Sequence, residues 1–266
     1  MTEPITSTED NPLETHIQNT LCEPTIAHKL FLELKKQGLF EYEKHLGSGA
    51  FGSVVQINTP AKKIALKLTK FNPQNTLSSQ CAGEPLSLTF PRYKHLGRSY
   101  ALLTYDGKKV HILKSYNPDL HSKHIFLGNI SRAIDGYSLH DLLKKRKCNQ
   151  EELAAFSKQI AEAIIALHSM NYVHKDIHVE NILIVKDLPH RIRLIDFQLT
   201  REATTKDLKK DWKKYSYLLM EMAPPSQIND PNFFDLIFSP KRGLLQGHKP
   251  YTDTEILSHP FFIPRT

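Results

Sequence analysis

Near residue 135 the apolar residues of this sequence change their spacing, and the change divides the chain into two kinds of structure. Before it, short runs rich in β-branched residues read as strands: "SVVQINT", "KKIALKLTK", "SYALLTY", "KKVHILKSY" and "HIFLGNISRAI". In the second of these, basic and apolar residues alternate up to Lys67. Asp106-Gly107 separates the third from the fourth, a dipeptide that suits a tight hairpin because glycine accepts the positive φ the turn needs. The first half is thus expected to be mostly antiparallel sheet, led by one helix at Ile26–Phe40, where apolar residues recur at helical spacing. After the change, Asn149 and Glu152 form a capping-box-like start to a helix whose stripe of Leu153, Phe156, Ile160, Ile164 and Leu167 is core. That helix should end near Met170-Asn171. A further helical run, "DLKKDWKKYSYLLMEM", is stopped by Pro224-Pro225, since proline lacks the N–H a helix interior needs. The tail reads as loops plus one short helix. An α+β protein follows, with a small sheet lobe at 26–134 and a helical lobe at 135–266. Residues 1–25 mix Thr, Ser, Pro, Asn and acids without periodicity and read as a flexible extension.

A chain of 266 residues with 40% hydrophobic and 24% charged residues is long enough for two cores and is not disordered throughout. Its net charge of +7 favours acidic partners such as nucleotide phosphates or acidic protein surfaces. Much of that charge lies in "KKRK" and "KDLKKDWKK", runs that read equally well as solvated helix faces and carry no signature of a nucleic-acid-binding fold. Cys22, Cys81 and Cys148 are odd in number, far apart and never in C-x-x-C, which points away from disulfides and zinc and towards a reducing compartment, cytoplasmic or nuclear. The N-terminus lacks the apolar core of a secretory signal and begins Met-Thr rather than Met-Gly. No run of 18 apolar residues occurs, so no membrane span is expected. Oligomeric state leaves no trace in the sequence.

Three stretches carry chemistry. In "LGSGAFGSV" (Leu46, Gly47, Ser48, Gly49, Ala50, Phe51, Gly52, Ser53, Val54) the glycines are followed by a strand, whereas a dinucleotide fold would place a helix there. Glycines between two strands let backbone N–H groups approach a polyphosphate closely, although a plain bulged hairpin has the same pattern. Lys67 in "IALK" needs an anion if it points beneath that loop, and Glu84 is the only acidic residue between Lys67 and Asp106. Pro85 fits only a first helical turn, which puts Glu84 at a helix start. In "YVHKDIHVENILI", Asp176 precedes Asn181 by five residues, a spacing that suits phosphoryl transfer: the carboxylate accepts the attacking hydroxyl's proton and the amide oxygen binds Mg²⁺. Asp196 ends the apolar strand "RIRLIDF", where a carboxylate is costly unless it is paired or binds a cation.

These stretches together resemble the eukaryotic-type protein kinase superfamily, from about Phe40 onward. "GSGAFGSV" resembles its glycine-rich loop, "IALK" its VAIK strand, "HKDIHVEN" its HRD-x-x-x-x-N loop, and "DFQ" stands where DFG is expected. The resemblance implies a bilobal fold, ATP and Mg²⁺ as cofactors, and a protein substrate. Ala65 and Lys67 would then line the nucleotide site, with Arg132, Ala133 and Ile134 beside adenine. Glu84 would fix Lys67, Asp176 would be the base, and Asn181 and Asp196 would hold metal. Asp211-Trp212 is similar to the start of the helix whose Asp braces the catalytic loop, and "KPYTDTEILSHPFF" to the segment that closes the domain.

The departures shape the functional expectation. His178 stands where Ser/Thr kinases carry a lysine, as in aminoglycoside and choline kinases, and would replace it only when protonated. Gln198 replaces a glycine, and only fourteen residues separate Asp196 from Asp211, with no A-P-E. Regulation by phosphorylation of that loop is not expected, although it offers Thr200, Thr204 and Thr205. Lys175 precedes the catalytic Asp where most kinases have an arginine facing a phosphorylated loop. The expectation is a reduced Ser/Thr protein kinase. A small-molecule kinase and an inert pseudokinase are the alternatives.

Overall fold

The computed structural model describes residues 11–49, 52–77, 83–117, 121–188, 190–239, 243–245 and 252–262. The chain forms two compact units, Met1–Cys81 with Ser99–Ala133, and Ala82–Arg98 with Ile134–Thr266.

The first unit is built on a six-stranded antiparallel sheet. Its strands are β1 (Glu41–Gly49), β2 (Gly52–Asn58), β3 (Lys63–Thr69), β4 (Ser99–Tyr105), β5 (Val110–Leu113) and β6 (Ile125–Arg132), in the order β1-β2-β3-β6-β4-β5. The β4–β5 hairpin turns at Asp106-Gly107, where Gly107 has φ 94°. Side chains alternate across a strand, so Val55, Ile57, Ile64, Leu66 and Leu68 share one buried face. Two helices supply apolar residues to the same core: α1 (Pro12–Leu21) with Leu13, Ile17 and Leu21, and α2 (Pro24–Lys36) with Ala27, Leu30 and Leu34. One leading helix was expected here, and residues 12–21 were expected to be part of a flexible extension. The structure corrects both points. Leu13, Ile17 and Leu21 fall four apart and are at most 1% exposed, a stripe short enough to hide among Thr, Asn and Glu.

In the second unit, α3 (Gly83–Ser87) precedes a segment that runs beside β10 (Ile192–Leu194). Leu96 bridges Leu194 in parallel, Leu194 N–H donates to His95 O at 2.8 Å, and Gly97 N–H donates to Leu194 O at 2.7 Å. These bonds explain why residues 82–98, expected within the sheet lobe, group with the helical unit. Gly83 lies so close to the backbone of Phe197 that a Cβ there would collide with the Phe197 carbonyl oxygen.

The rest follows the apolar pattern closely. β7 (Gly136–Ser138) and α4 (Leu139–Leu143) lead to α5 (Gln150–Ser169), whose Asn149–Glu152 capping box is present. Its expected stripe is buried throughout, at 2% exposure or less. β8 (Tyr172–Val173), β9 (Ile182–Val185) and β10 give a three-stranded sheet β10-β9-β7 and a short pairing of β8 with β11 (Arg201–Glu202). α6 (Thr205–Met222) buries Trp212, Tyr215, Leu218, Leu219 and Met222, and Tyr215 Oη donates to Ser157 O on α5 at 2.8 Å. Short helices α7 (Pro225–Ile228), α8 (Pro231–Phe238) and α9 (Asp253–Leu257) follow, and Phe261 and Phe262 close the core. Among the described residues, no helix is long and apolar enough to cross a membrane.

Candidate active site

The nucleotide-binding residues expected in the first unit lie on its sheet. Gly47 pairs with Val54 and Gly49 with Gly52 across an irregular β1–β2 ladder, which shifts register between His45 and Gly47. Among the described residues, a Cβ at Gly47 or Gly49 would meet nothing within 4 Å, so the strand backbone is open to a close ligand there. Gly52 is different. With φ 151° it presses on β3, and a side chain would strike the Leu68 carbonyl oxygen. Leu46 is exposed, Ser53 is buried, and Ala50 and Phe51 lie outside the described residues. His16 Nε2 and Thr20 Oγ1 each lie 2.8 Å from Ser53 Oγ, so α1 holds the strand directly after the glycines.

Val54, Ala65 and Lys67 share the sheet face opposite the core, and Lys67 stands between Val54 and Asn129 in register. Arg132 pairs with Ile64, and Ala133 N–H donates to Lys63 O at 3.2 Å. Ile134 begins the second unit's main segment. Glu84, also in the second unit, occupies the first turn of α3 and is only 2% exposed.

The residues expected to form a catalytic loop all lie in the second unit, and buried polar contacts fix that loop. Asn171 and Lys175 adopt left-handed φ of 63° and 67°, which turn the chain twice around β8. Asp211, fully buried on the second turn of α6, accepts from His174 N–H at 2.7 Å and Lys175 N–H at 2.8 Å. His168 Nε2 lies 3.2 Å from the same carboxylate. Asp211 thus braces the loop from within α6, which begins two residues before the helical run read from the sequence and six before the helix start suggested by the resemblance. His174 is also fully buried. Its Nε2–H donates to Ile195 O at 3.0 Å and its Nδ1 accepts from Asp176 N–H at 3.2 Å, a pair of bonds that the neutral ring makes, and burial lowers its pKa.

Asp176 and Asn181 meet directly. Asn181 Nδ2 donates to Asp176 O at 2.8 Å and to Oδ2 at 3.0 Å. His178 Nε2 lies 3.2 Å from Asp176 Oδ2 and 2.8 Å from Asn181 Nδ2. A residue that the motif did not reveal completes the cluster: Lys214 Nζ donates to Lys175 O and lies 3.4 Å from Asp176 Oδ1. The hydrogen bond from His178, with the charges of His178 and Lys214, holds the Asp176 carboxyl at about 2, and the same bond raises His178. Lys214 follows Asp211 by one helical turn, which puts both on one helix face, but that spacing alone does not point to Asp176.

Asp196 reaches the cluster through the backbone. Ile195 N–H donates to Asn181 O at 2.9 Å, Asp196 takes φ 64°, and its Oδ1 accepts from Gln198 N–H at 3.3 Å. Phe197 is buried and meets Phe90 edge-on at 5.1 Å and His174 at 5.3 Å. Thr200, a possible modification site by sequence, is 2% exposed, and Thr204 caps α6 through Asp207 N–H. Of the three loop threonines, only Thr205 is exposed without a capping bond, so the structure narrows that expectation. Among the described residues no three His, Cys, Asp or Glu side chains converge to hold a metal. Asn181 and Asp196 nevertheless fit magnesium, which takes oxygen donors from one or two side chains and completes its shell with phosphates and water. Because the amide nitrogen of Asn181 faces Asp176, its oxygen is turned the other way.

A buried histidine, a braced Asp–Asn loop and an adjoining Asp at a strand end give the second unit a protein-kinase-like arrangement, and the first unit is the antiparallel sheet of the matching α+β architecture. The family model described as "Protein tyrosine and serine/threonine kinase" matches residues 40–233. The chain belongs to the protein kinase family. It is 26% identical over 182 residues to the serine/threonine-protein kinase ppk25 of Schizosaccharomyces pombe, covering 67% of this chain and 38% of that protein. It is 26% identical over 201 residues to the probable serine/threonine-protein kinase KIN1 homolog of Enterocytozoon bieneusi, covering 73% and 30%. It is also 26% identical over 163 residues to the maternal embryonic leucine zipper kinase of Danio rerio, covering 60% and 21%. The chain therefore spans well under half the length of each.

Proposed function

We propose that the protein transfers the γ-phosphoryl group of ATP to a serine or threonine hydroxyl of a protein substrate, with Mg²⁺ as cofactor. The observation that carries this reading is the bonded set Asp176–Asn181–Ile195, which puts a carboxylate, an amide oxygen and the strand end bearing Asp196 in one rigid loop pair. Asp176 accepts the hydroxyl proton as that oxygen attacks the γ-phosphorus, and the bond to the departing ADP oxygen breaks. Its low pKa keeps the carboxylate unprotonated. Asn181 and Asp196 hold the metal, which when bound neutralises charge on the phosphate oxygens. Lys67, with Glu84, takes the α- and β-phosphates, the β1–β2 glycines cover the polyphosphate, and Ala65, Arg132, Ala133 and Ile134 serve the adenine. The names of the relatives support Ser/Thr specificity, and the charge of +7 supports an acidic substrate surface.

The test is transfer from labelled ATP to a mixed protein pool. Wild type is expected to label substrate, and Asp176→Asn to lose about 10²- to 10⁴-fold in rate, the usual worth of a positioned base. Equal labelling by the two proteins refutes the reading. His178 favours a second reading, phosphorylation of a small hydroxyl-bearing metabolite, which a screen for ADP release separates from the first.

A further inference from the structure

We propose that Lys214 on α6 is the positioning residue of the catalytic carboxylate, supplying from a helix the fixed cation that the 176–181 loop itself lacks. The inference rests on the kinase reading and adds a residue to it.

Three observations converge. First, α6 makes two contacts with the same loop, one turn apart. Asp211 accepts the backbone N–H groups of His174 and Lys175, and Lys214 donates to the Lys175 carbonyl and faces Asp176 Oδ1 at 3.4 Å. Residues three apart on a helix point the same way, so a helix clamped by a buried Asp211 aims Lys214 at this loop and nowhere else. Second, the two oxygens of Asp176 are divided between partners. Oδ2 belongs to Asn181 and His178, and among the described residues Lys214 is the side chain that addresses Oδ1. Third, His178 is held within the loop: its Nε2 lies 2.8 Å from the Asn181 amide nitrogen and its Nδ1 accepts from Glu180 N–H at 3.3 Å. A ring engaged in this way has no donor to spare for a further partner, whereas an ammonium offers three.

The short connection makes the arrangement possible. Only the segment from Gln198 to Thr204 lies between the Asp196-Phe197 turn and α6. It leaves along β11, which pairs with β8, so the path from α6 to Asp176 stays open for a long side chain.

The role is orientation. With its carbonyl and carboxylate partners held by one ammonium, the loop keeps Asp176 in a single rotamer, ready to take a proton. Losing that constraint should slow turnover and leave nucleotide affinity alone.

The experiment measures kcat and KM for ATP with wild type, Lys214→Met, Lys214→Arg, Lys213→Met and Asp176→Asn, and checks each fold by thermal unfolding. Lys213 lies over the Tyr217 ring and controls for loss of a nearby charge. Lys214→Met is expected to lose about 10- to 100-fold in kcat, the scale set by misplacing a catalytic group, with KM for ATP changed less than about twofold. Lys214→Arg should recover most of the loss, and Lys213→Met should match wild type. If Lys214→Met unfolds, Lys214→Gln takes its place. The inference is overturned if wild type is active and Lys214→Met turns over at the same rate, if arginine rescues nothing, or if Lys213→Met falls equally. If wild type itself is no better than Asp176→Asn, the kinase reading fails first and takes this role with it.

Discussion

Asp211 shows how much a single carboxylate organises when it is shut away from water. Its two oxygens take two backbone N–H groups that no strand or helix would otherwise satisfy, in a loop bent by left-handed residues. Asp211→Ala leaves both donors buried and unpaired, so a loss of about 2–6 kcal/mol is expected, counting about 1–3 kcal/mol for each. Urea unfolding measures it, and a loss below about 1 kcal/mol would mean that water replaces the carboxylate. The pairing of Asp176 with Asn181 was legible in the sequence because their spacing is local. Lys214 was not, since its relation to Asp176 exists only once α6 has packed across the loop. The burial of Thr200 was hidden for the same reason: a polar residue in a short connection reads as exposed until its neighbours are in place.

At the scale of elements, strand and helix positions in the sheet and in α5 and α6 followed from period and capping. Helix α1 did not. Its apolar residues are only three, and the prolines at positions 12 and 24 resemble loop punctuation, although proline at the first position of a helix costs nothing. The structure gives α1 two tasks. Ile17 is fully buried in the sheet unit's core, and Ile17→Ala is expected to cost about 2–5 kcal/mol in urea or thermal unfolding. His16 and Thr20 hold Ser53 beside the glycines. Replacing both by alanine removes two hydrogen bonds worth about 0.5–1.5 kcal/mol each, and should raise KM for ATP about 5- to 100-fold if that strand must stay still to hold nucleotide. An unchanged KM would assign the pair to stability alone.

Across the whole molecule, the described residues form two hydrophobic cores, one in each unit; Cys148 lies inside one of them, and Cys22 lies outside the other. Cys22, at the end of α1, is exposed. Cys148 is 1% exposed, and burial pushes its thiol up to about 12, so little thiolate forms near neutrality. A thiol reagent at pH 8 followed by peptide mapping should modify Cys22 within minutes and Cys148 only as the helical unit opens. Comparable rates at the two sites would contradict the burial described. The two-part organisation was legible from the change of period, but the placement of residues 82–98 was not, because the parallel bridge of Leu96 to Leu194 joins positions almost a hundred residues apart.

That bridge, with Gly83 pressed on the Phe197 carbonyl, has a consequence for control. The helix bearing Glu84 and the turn bearing Asp196 are one mechanical piece, so any displacement of the first drags the second along. On the proposed kinase reading, a switch that withdraws the glutamate would carry the aspartate with it, and the supply of nucleotide and acceptor would then set the pace of turnover.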